Sequence, residues 1–177
     1  MTLSPIALFV HNRPKHTQKT VEALQKNNFA QESELFIFSD SWKNEEARKK
    51  VEEVREYIKT ISGFKNVTIT ERKENWGLAN SIISGVTEIV NKYGRIIVLE
   101  DDLVTSPFFL EYMNEALDLY EKEEKIISLH GYIYPVKEKL PETFFLKGAD
   151  CWGWATWKRG WDLFEPDGKK LLTELEK

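Results

Sequence analysis

Short apolar runs alternate with segments of helical periodicity along the first 130 residues, and this alternation constrains the fold more than any other feature of the chain. In the segment 78–93, apolar residues recur at steps of three and four, and Gly94 follows as a helix terminator. Such an alternation predicts an α/β domain with a mostly parallel sheet covered by helices on both faces. The runs that predict strands lie at 6–10, 35–38, 67–70, 95–99 and 126–129.

The pattern changes after His130. Residues 131–177, called the aromatic region below, are rich in aromatic residues, Gly and Pro and show no long period. We therefore expect irregular structure there, with at most a short hairpin. The segment 169–177 has the pattern of a helix, and we expect the domain to be C-terminally truncated at this point. A length of 177 residues suits one domain over 1–177.

The charge and cysteine content argue against several classes of protein. The net charge of -4 gives no electrostatic reason to expect nucleic acid as a partner. The chain has one cysteine, Cys151, so no internal disulfide can form, which fits a reducing compartment and a cytoplasmic location. No window approaches the ~20 apolar residues of a membrane helix, so no membrane span is expected.

Three consecutive carboxylates, Glu100, Asp101 and Asp102, follow the fourth apolar run. Like charges at the end of a buried strand repel one another, so a positive partner is expected among them. Oxygen ligands favour Mg²⁺ or Mn²⁺, and a hard cation held by one or two protein carboxylates completes its shell with water and phosphates. The alternative, equally supported by this motif alone, is a solvated acidic turn before a helix.

Other motifs of phosphate and metal chemistry are missing from the sequence. Neither G-x-G-x-x-G nor G-x-x-x-x-G-K-[ST] occurs, which argues against a dinucleotide-binding Rossmann domain and a P-loop enzyme. His11, His16 and His130 lie too far apart along the chain to give a zinc-like spacing. No G-x-S-x-G elbow supports a Ser-His-Asp triad.

Polar residues follow each of the first four runs, and ligands of open α/β sheets bind beyond these carboxyl ends. The segments "FVHNRP", "FSD", "ENWGLANSIISGV" and "VLEDDLVTSPFFLEYM" resemble, in this order, the nucleotide-binding half of GT-A fold glycosyltransferases. The last is similar to the "EDDL" segment of the Golgi N-acetylglucosaminyltransferase that initiates complex N-glycans, and "CWGWATWKRGW" is similar to a segment of bacterial sugar transferases. The resemblance implies a Rossmann-like nucleotide-binding part over 1–130. It also implies an incomplete donor- and acceptor-side part over 131–177.

The resemblance also implies roles for individual residues. Asp102 would ligate Mn²⁺ or Mg²⁺ at the diphosphate, and Glu100 and Asp101 would contact the ribose or the donor sugar. Asp40 would accept a hydrogen bond from a nucleobase N–H. The remaining candidates are His11, Arg13, Asn75, Gly77 and Asn80 for the nucleotide, and Trp152, Gly153 and Trp154 for the donor or acceptor sugar.

Several of these residues have a structural explanation as well. The sole role of Arg13 could be to neutralise the acids, and that of Asp40 could be to cap a turn. The sole role of Asn75 and Gly77 could be to form the strand-to-helix turn. Asn80 could be an ordinary residue of the helix surface.

Three residues of the aromatic region are expected to have structural roles. Trp157 and Trp161 should pack the last layer of the sheet. Cys151 should be a small buried residue rather than a nucleophile, because no histidine partner is evident.

The resemblance implies an enzyme that moves a hexosyl or N-acetylhexosaminyl group from a nucleotide-sugar, with UDP-sugars favoured, to a hydroxyl of a glycan or glycolipid. Its relatives invert the anomeric centre with a carboxylate base in a later helix, so we expect donor binding with little acceptor turnover here. Neither Asp150 nor Asp162 matches that base. One alternative is a nucleotidyltransferase acting on sugar phosphates, whose Gly-rich loop is missing. The other is a non-enzymatic α/β interaction or receiver-like domain; receiver domains have their acid pair early, whereas the acids here follow the fourth strand.

Overall fold

The computed structural model describes residues 2–176, so both ends of the predicted domain, Met1 and Lys177, lie outside the described residues. The strands are β1 (Ile6–Val10), β2 (Glu34–Ser39), β3 (Asn66–Glu71), β4 (Arg95–Glu100), β5 (Ser128–His130) and β6 (Trp154–Trp157). The helices are α1 (Pro14–Leu24), α2 (Glu45–Ile58), α3 (Leu78–Tyr93), α4 (Phe109–Leu119), α5 (Lys158–Trp161) and α6 (Gly168–Leu175), with a 3-10 turn at Ala30–Glu32.

The strands form one sheet of six in the order β3-β2-β1-β4-β6-β5. Strands β1 to β4 pair in parallel, whereas β6 runs antiparallel to both β4 and β5. The prediction of a mostly parallel sheet flanked by helices is therefore confirmed. Strand β1 lies between β2 and β4, which brings the three polar segments that follow these strands to one edge of the sheet.

Alternation along the strands divides the core between the two faces of the sheet. In β1, Ile6 and Leu8 face one hydrophobic cluster, which includes apolar residues of α1, α2 and α4. Ala7 and Phe9 face the other cluster, which is covered by α3. Period-2 side-chain alternation explains this division, because successive residues of a strand point to opposite faces.

Local capping fixes several element boundaries, including the predicted end of α3. The Asn44 side chain accepts a hydrogen bond from the Ala47 N–H at 3.0 Å, so it caps α2 as a good N-cap residue should. Gly94 adopts a left-handed conformation with φ 80° and ends α3. Helix α1 begins at Pro14, because proline is favoured at the first helical position, where its missing N–H is not needed.

Strand β6, in the aromatic region, was not predicted, and β5 begins at Ser128 rather than at residue 126. The two strands pair across a long connection, with Leu129 opposite Ala155, so they do not form a tight hairpin. Trp157 is buried, and its indole N–H donates to the Leu117 carbonyl at 3.1 Å, which confirms its packing role. Trp161 is partly buried against the α3 face of the sheet, as expected.

Cys151 contradicts its predicted burial. The residue is exposed, because it lies in the irregular chain before β6 and not in a packed element. Desolvation and the carboxylates Glu100 and Asp150 raise the pKa of its thiol, so a reactive thiolate is not favoured either. Within residues 2–176, no helix combines the length and the apolar character required to cross a bilayer.

Candidate nucleotide-sugar site

The acidic residues that follow β4 are held by one arginine that follows β1. The Arg13 guanidinium contacts Asp101 Oδ1 through Nη2 and Asp102 Oδ2 through Nη1, both at 2.8 Å. The His11 backbone N–H donates to Asp101 Oδ2 at 3.4 Å, and its ring Nε2 lies 3.1 Å from the Ser41 carbonyl. The ends of β1, β2 and β4 are therefore linked by polar contacts, and Arg13 neutralises two of the three acids.

Burial and mutual repulsion make this acidic cluster electrostatically unfavourable. Desolvation, followed by repulsion from Asp102 and Asp101, raises the pKa of Glu100. Desolvation also raises the pKa of Asp101, although the Arg13 charge and the His11 N–H oppose that rise. Such tension between neighbouring carboxylates is common at functional sites, where a positively charged ligand relieves it.

Asp40, at the end of β2, organises the loop between β3 and α3. Its Oδ1 accepts from the backbone N–H groups of Ser41 at 2.9 Å and Trp76 at 3.0 Å. Its Oδ2 accepts from the Gly77 N–H at 2.9 Å and from the Asn75 side-chain amide at 3.1 Å. A carboxylate offers about four acceptor positions, so these donors fill them all. The role of Asp40 as a nucleobase acceptor stays a prediction, and it requires one of these donors to be replaced by the base.

Asn75 and Gly77 of this loop contact Asp40, whereas Asn80 lies in the first turn of α3. Asn75 donates to the Ser41 carbonyl at 2.6 Å as well as to Asp40, so it connects two strand ends. Gly77 has φ 74°, a conformation that L side chains rarely adopt, and it precedes α3 without a side-chain cap. Asn80 is exposed and donates to the Trp76 carbonyl at 3.0 Å. These contacts account for the turn, and they leave the proposed nucleotide roles untested.

A cavity of about 470 Å³ lies between the acidic end of β4 and the aromatic region. It brings three of the predicted sugar and metal residues together, since Asp102, Trp152 and Gly153 all line it. Trp154 does not line it, because it pairs with Val98 inside the sheet and stacks on Trp161 at 6.0 Å. The full set of lining residues is Leu99, Asp102, Leu103, Val104, Thr105, Ser106, Phe109, Gly131, Tyr132, Trp152 and Gly153.

Two glycines keep the cavity wall in place. A Cβ atom at Gly131 would meet the Phe109 ring at 2.4 Å, and one at Gly153 would meet it at 3.2 Å. The Gly131 N–H donates to the Gly153 carbonyl at 2.8 Å, so both chain segments pass close together over the Phe109 ring. Gly153 was predicted from the sequence as a site residue, whereas Gly131 was not. Gly131 has no room for a Cβ because the Phe109 ring of α4 packs against it, and α4 is far away along the chain.

Arg72 is a second residue that sequence reasoning missed. It follows β3 at the same edge of the sheet, is 9% exposed, and lies 3.7 Å from the centre of the Trp76 ring. Its Nη2 atom is buried without a hydrogen-bond partner in residues 2–176, and desolvation lowers the pKa of the guanidinium. Its position directly after a predicted strand was a signal that could have placed it at the site.

The acids that follow β4 offer the oxygen ligands that a hard divalent cation requires. Arg13 and the His11 N–H take three oxygens of the two aspartates, whereas Asp102 Oδ1 has no hydrogen bond within residues 2–176. Asp102 is 40% exposed on its side chain and lines the cavity. No three acidic, His or Cys side chains of the described chain converge tightly enough to hold a cation alone. Phosphate oxygens and water would therefore complete its coordination shell.

Known structures share this fold. A fragment of TarS from S. aureus, residues 1–349, superimposes with a TM-score of 0.53 and 15% identity over 86% of this chain and 47% of that one. The same fragment in complex with UDP gives 0.52 and 15% over 85% and 46%. The mannosyltransferase PcManGT from Pyrobaculum calidifontis, in complex with GDP-Man and Mn²⁺, gives 0.51 and 12% over 72% and 35%. The chain thus spans less than half the length of these structures.

The sequence comparisons give the family. No curated protein matches the chain. The resemblance to the Golgi N-acetylglucosaminyltransferase in particular finds no support beyond the quoted segment, whereas the coarser resemblance to GT-A glycosyltransferases does. The model of the family "Glycosyl transferase family 2" matches residues 6–159, and because that range includes most of the 177 residues, the chain belongs to glycosyl transferase family 2.

Proposed function

We propose that this chain binds a nucleoside-diphosphate sugar together with Mn²⁺ or Mg²⁺, and that it serves the transfer of the sugar to an acceptor hydroxyl with inversion. One observation carries the proposal. The cavity connects the exposed Asp102 carboxylate with Trp152 and Gly153, next to the edge where the first four strands end. A diphosphate at Asp102 would therefore leave the sugar against an aromatic wall and the nucleoside along the strand ends.

The residues at the end of β4 would have separate tasks. Asp102 would hold the cation, which when bound stabilises negative charge on the leaving diphosphate. Glu100 would face the ribose or the donor sugar. Asp101 is 2% exposed and its oxygens pair with Arg13 and the His11 N–H, so it would reach the ligand only if Arg13 turned away. Arg13, 45% exposed on its side chain, would turn from Asp102 towards a phosphate, since guanidinium groups pair with phosphate as well as with carboxylate.

A uridine nucleotide is the donor that we propose. The support is the family resemblance and the position of Asp40, with Asn75 beside it, at the end of β2. TarS has been solved with UDP, whereas PcManGT has been solved with GDP-Man, so the fold accommodates both bases. A thermal-shift panel of nucleoside diphosphates with Mn²⁺ tests the choice, and a larger stabilisation by a guanine or thymine nucleotide would reject it.

Isothermal titration calorimetry with UDP and Mn²⁺ tests the site. We expect Asp102→Asn to weaken Mn²⁺-dependent UDP binding at least about tenfold, because the variant removes the charge of the proposed cation ligand. Asp118→Asn is the matched control. Asp118 is also 40% exposed and also paired with an arginine, Arg95, but it lies outside the cavity. Equal UDP affinity in wild type and Asp102→Asn would show that Asp102 is not the ligand.

A further inference from the structure

Three aromatic rings pack together at the mouth of the cavity. The ring centres of Tyr132, Tyr134 and Trp152 lie 5.0 to 5.3 Å from one another. Each side chain is nonetheless about half exposed, at 43%, 53% and 44% respectively. We call these three residues the aromatic triad. Packed aromatic rings that remain exposed to water, rather than buried in a core, indicate a ligand-binding surface.

The aromatic triad continues the wall of the cavity outward. Tyr132 and Trp152 line the cavity, whereas Tyr134 lies beyond it. The backbone at Trp152 is held by Asp150, whose Oδ1 accepts from the Cys151 N–H at 2.6 Å and from the Trp152 N–H at 3.2 Å. A ligand on the triad would thus lie next to whatever occupies the space between Trp152 and Asp102.

The chemistry around the triad selects among possible ligands. Two carboxylates lie near it, Asp102 in the cavity and Asp150 beside Trp152, whereas the residues that line the cavity include no Lys or Arg. This charge disfavours anionic lipid headgroups, which require basic residues. The three rings by themselves offer far less area than the more than about 1,000 Å² that a stable protein interface buries, and the neighbouring exposed side chains Ile133 and Val136 do not line the cavity.

An uncharged saccharide fits these features. Its rings have apolar C–H faces that stack on aromatic side chains, and its hydroxyls can bond to tyrosine hydroxyls and to carboxylates. The wall of the cavity adds two hydroxyl side chains, Thr105 and Ser106. We infer that the aromatic triad is the acceptor subsite of the proposed transferase and that its ligand is an uncharged saccharide. Only the assignment of the bound saccharide as the acceptor rests on the proposed function. The inference that the triad binds a saccharide does not.

Saturation-transfer NMR with cellobiose, lactose and N,N′-diacetylchitobiose tests the inference on the full chain. We expect at least one of these uncharged disaccharides to receive saturation at its ring C–H protons, and digalacturonic acid, the charged comparator, to receive much less. Tyr134→Ala should raise the apparent Kd of the bound disaccharide roughly three- to tenfold, the effect of losing one ring from a stack. Tyr134→Phe should retain most of the affinity.

Phe145→Ala is the matched control, because Phe145 is an exposed aromatic of the same segment that contacts Tyr120 and not the triad. No saturation of any uncharged disaccharide, or equal affinity in wild type and Tyr134→Ala, would overturn the inference. A different ligand class would also overturn it. If the wild-type protein binds no saccharide but sediments with phosphatidylcholine–phosphatidylglycerol vesicles, and Tyr134→Ala abolishes this sedimentation, the triad binds lipid instead. UDP binding with Mn²⁺, measured on the same samples, reports on the proposed function separately.

Discussion

The parallel region, residues 6–119, and the aromatic region build opposite sides of the same site in different ways. In the parallel region, candidate residues have partners within the protein, as the four donors on Asp40 and the two ion pairs of Arg13 show. In the aromatic region, most large apolar side chains are exposed and the triad rings pack on one another. Substitutions in the parallel region should therefore affect stability as well as nucleotide binding, whereas those in the aromatic region should affect mainly ligand binding.

The largest effect on stability is expected from Asp40→Ala, which tests this difference between the two regions. The substitution leaves the N–H groups of Trp76 and Gly77 and the Asn75 amide without their buried acceptor. We expect a loss of about 3–5 kcal/mol in the free energy of unfolding, the scale of breaking a buried charged network. Urea denaturation monitored by circular dichroism measures it.

Asp150→Ala is the control from the aromatic region. Asp150 also accepts from two backbone N–H groups, but in an exposed segment where water can replace it. We expect a loss of about 1 kcal/mol or less. Equal losses for the two variants would show that the two regions do not differ in how far their candidate residues stabilise the fold.

A smaller effect is expected from packing at Gly85 in α3. A Cβ atom there would lie 2.8 Å from the ring of Phe9 and 3.0 Å from that of Phe38. These two rings are buried and stack on each other at 5.1 Å, so they cannot move away easily. Overpacking should outweigh the gain in helix propensity, and we expect Gly85→Ala to lower the free energy of unfolding by about 1–2 kcal/mol.

Gly168→Ala, at the start of α6 in the aromatic region, should have the opposite sign. No atom lies within 4 Å of the added Cβ, so only the helix propensity changes. We expect a stabilisation of less than about 1 kcal/mol in thermal unfolding monitored by calorimetry. A destabilisation as large as that of Gly85→Ala would show that α6 is packed more tightly than its exposed residues indicate.

The sequence predicted the parallel region well because its signals are local. Apolar runs and helical spacing mark each of its elements, and the place of the acids at a strand end follows from the end of the fourth apolar run. The aromatic region was harder to predict, because β6 exists only through pairing with β4 and β5, far away along the chain. Similarly, the burial of Arg72 and the exposure of Cys151 depend on packing that no local pattern records.

The smallest effect is a pH dependence at the acidic end of β4. Desolvation, then repulsion from Asp102 and Asp101, raises the pKa of Glu100 in the folded protein. A raised carboxyl pKa means that the folded state binds this proton more tightly than the unfolded state. The contribution of Glu100 to the free energy of unfolding is therefore fully present below its pKa in the unfolded state, about 4. It is lost as the pH rises through its pKa in the folded state.

Glu100→Gln removes this titration, so the variant should be more stable than wild type at pH 7, by less than about 1 kcal/mol because Glu100 is only partly buried. The difference should shrink as pH falls towards 4, where wild-type Glu100 becomes protonated. Urea denaturation at a series of pH values measures it, with Glu174→Gln on the exposed helix α6 as the control for the loss of one charge. A difference that grows towards acidic pH would mean that the Glu100 carboxylate stabilises the fold, and the strain assigned to the three acids would then lie elsewhere.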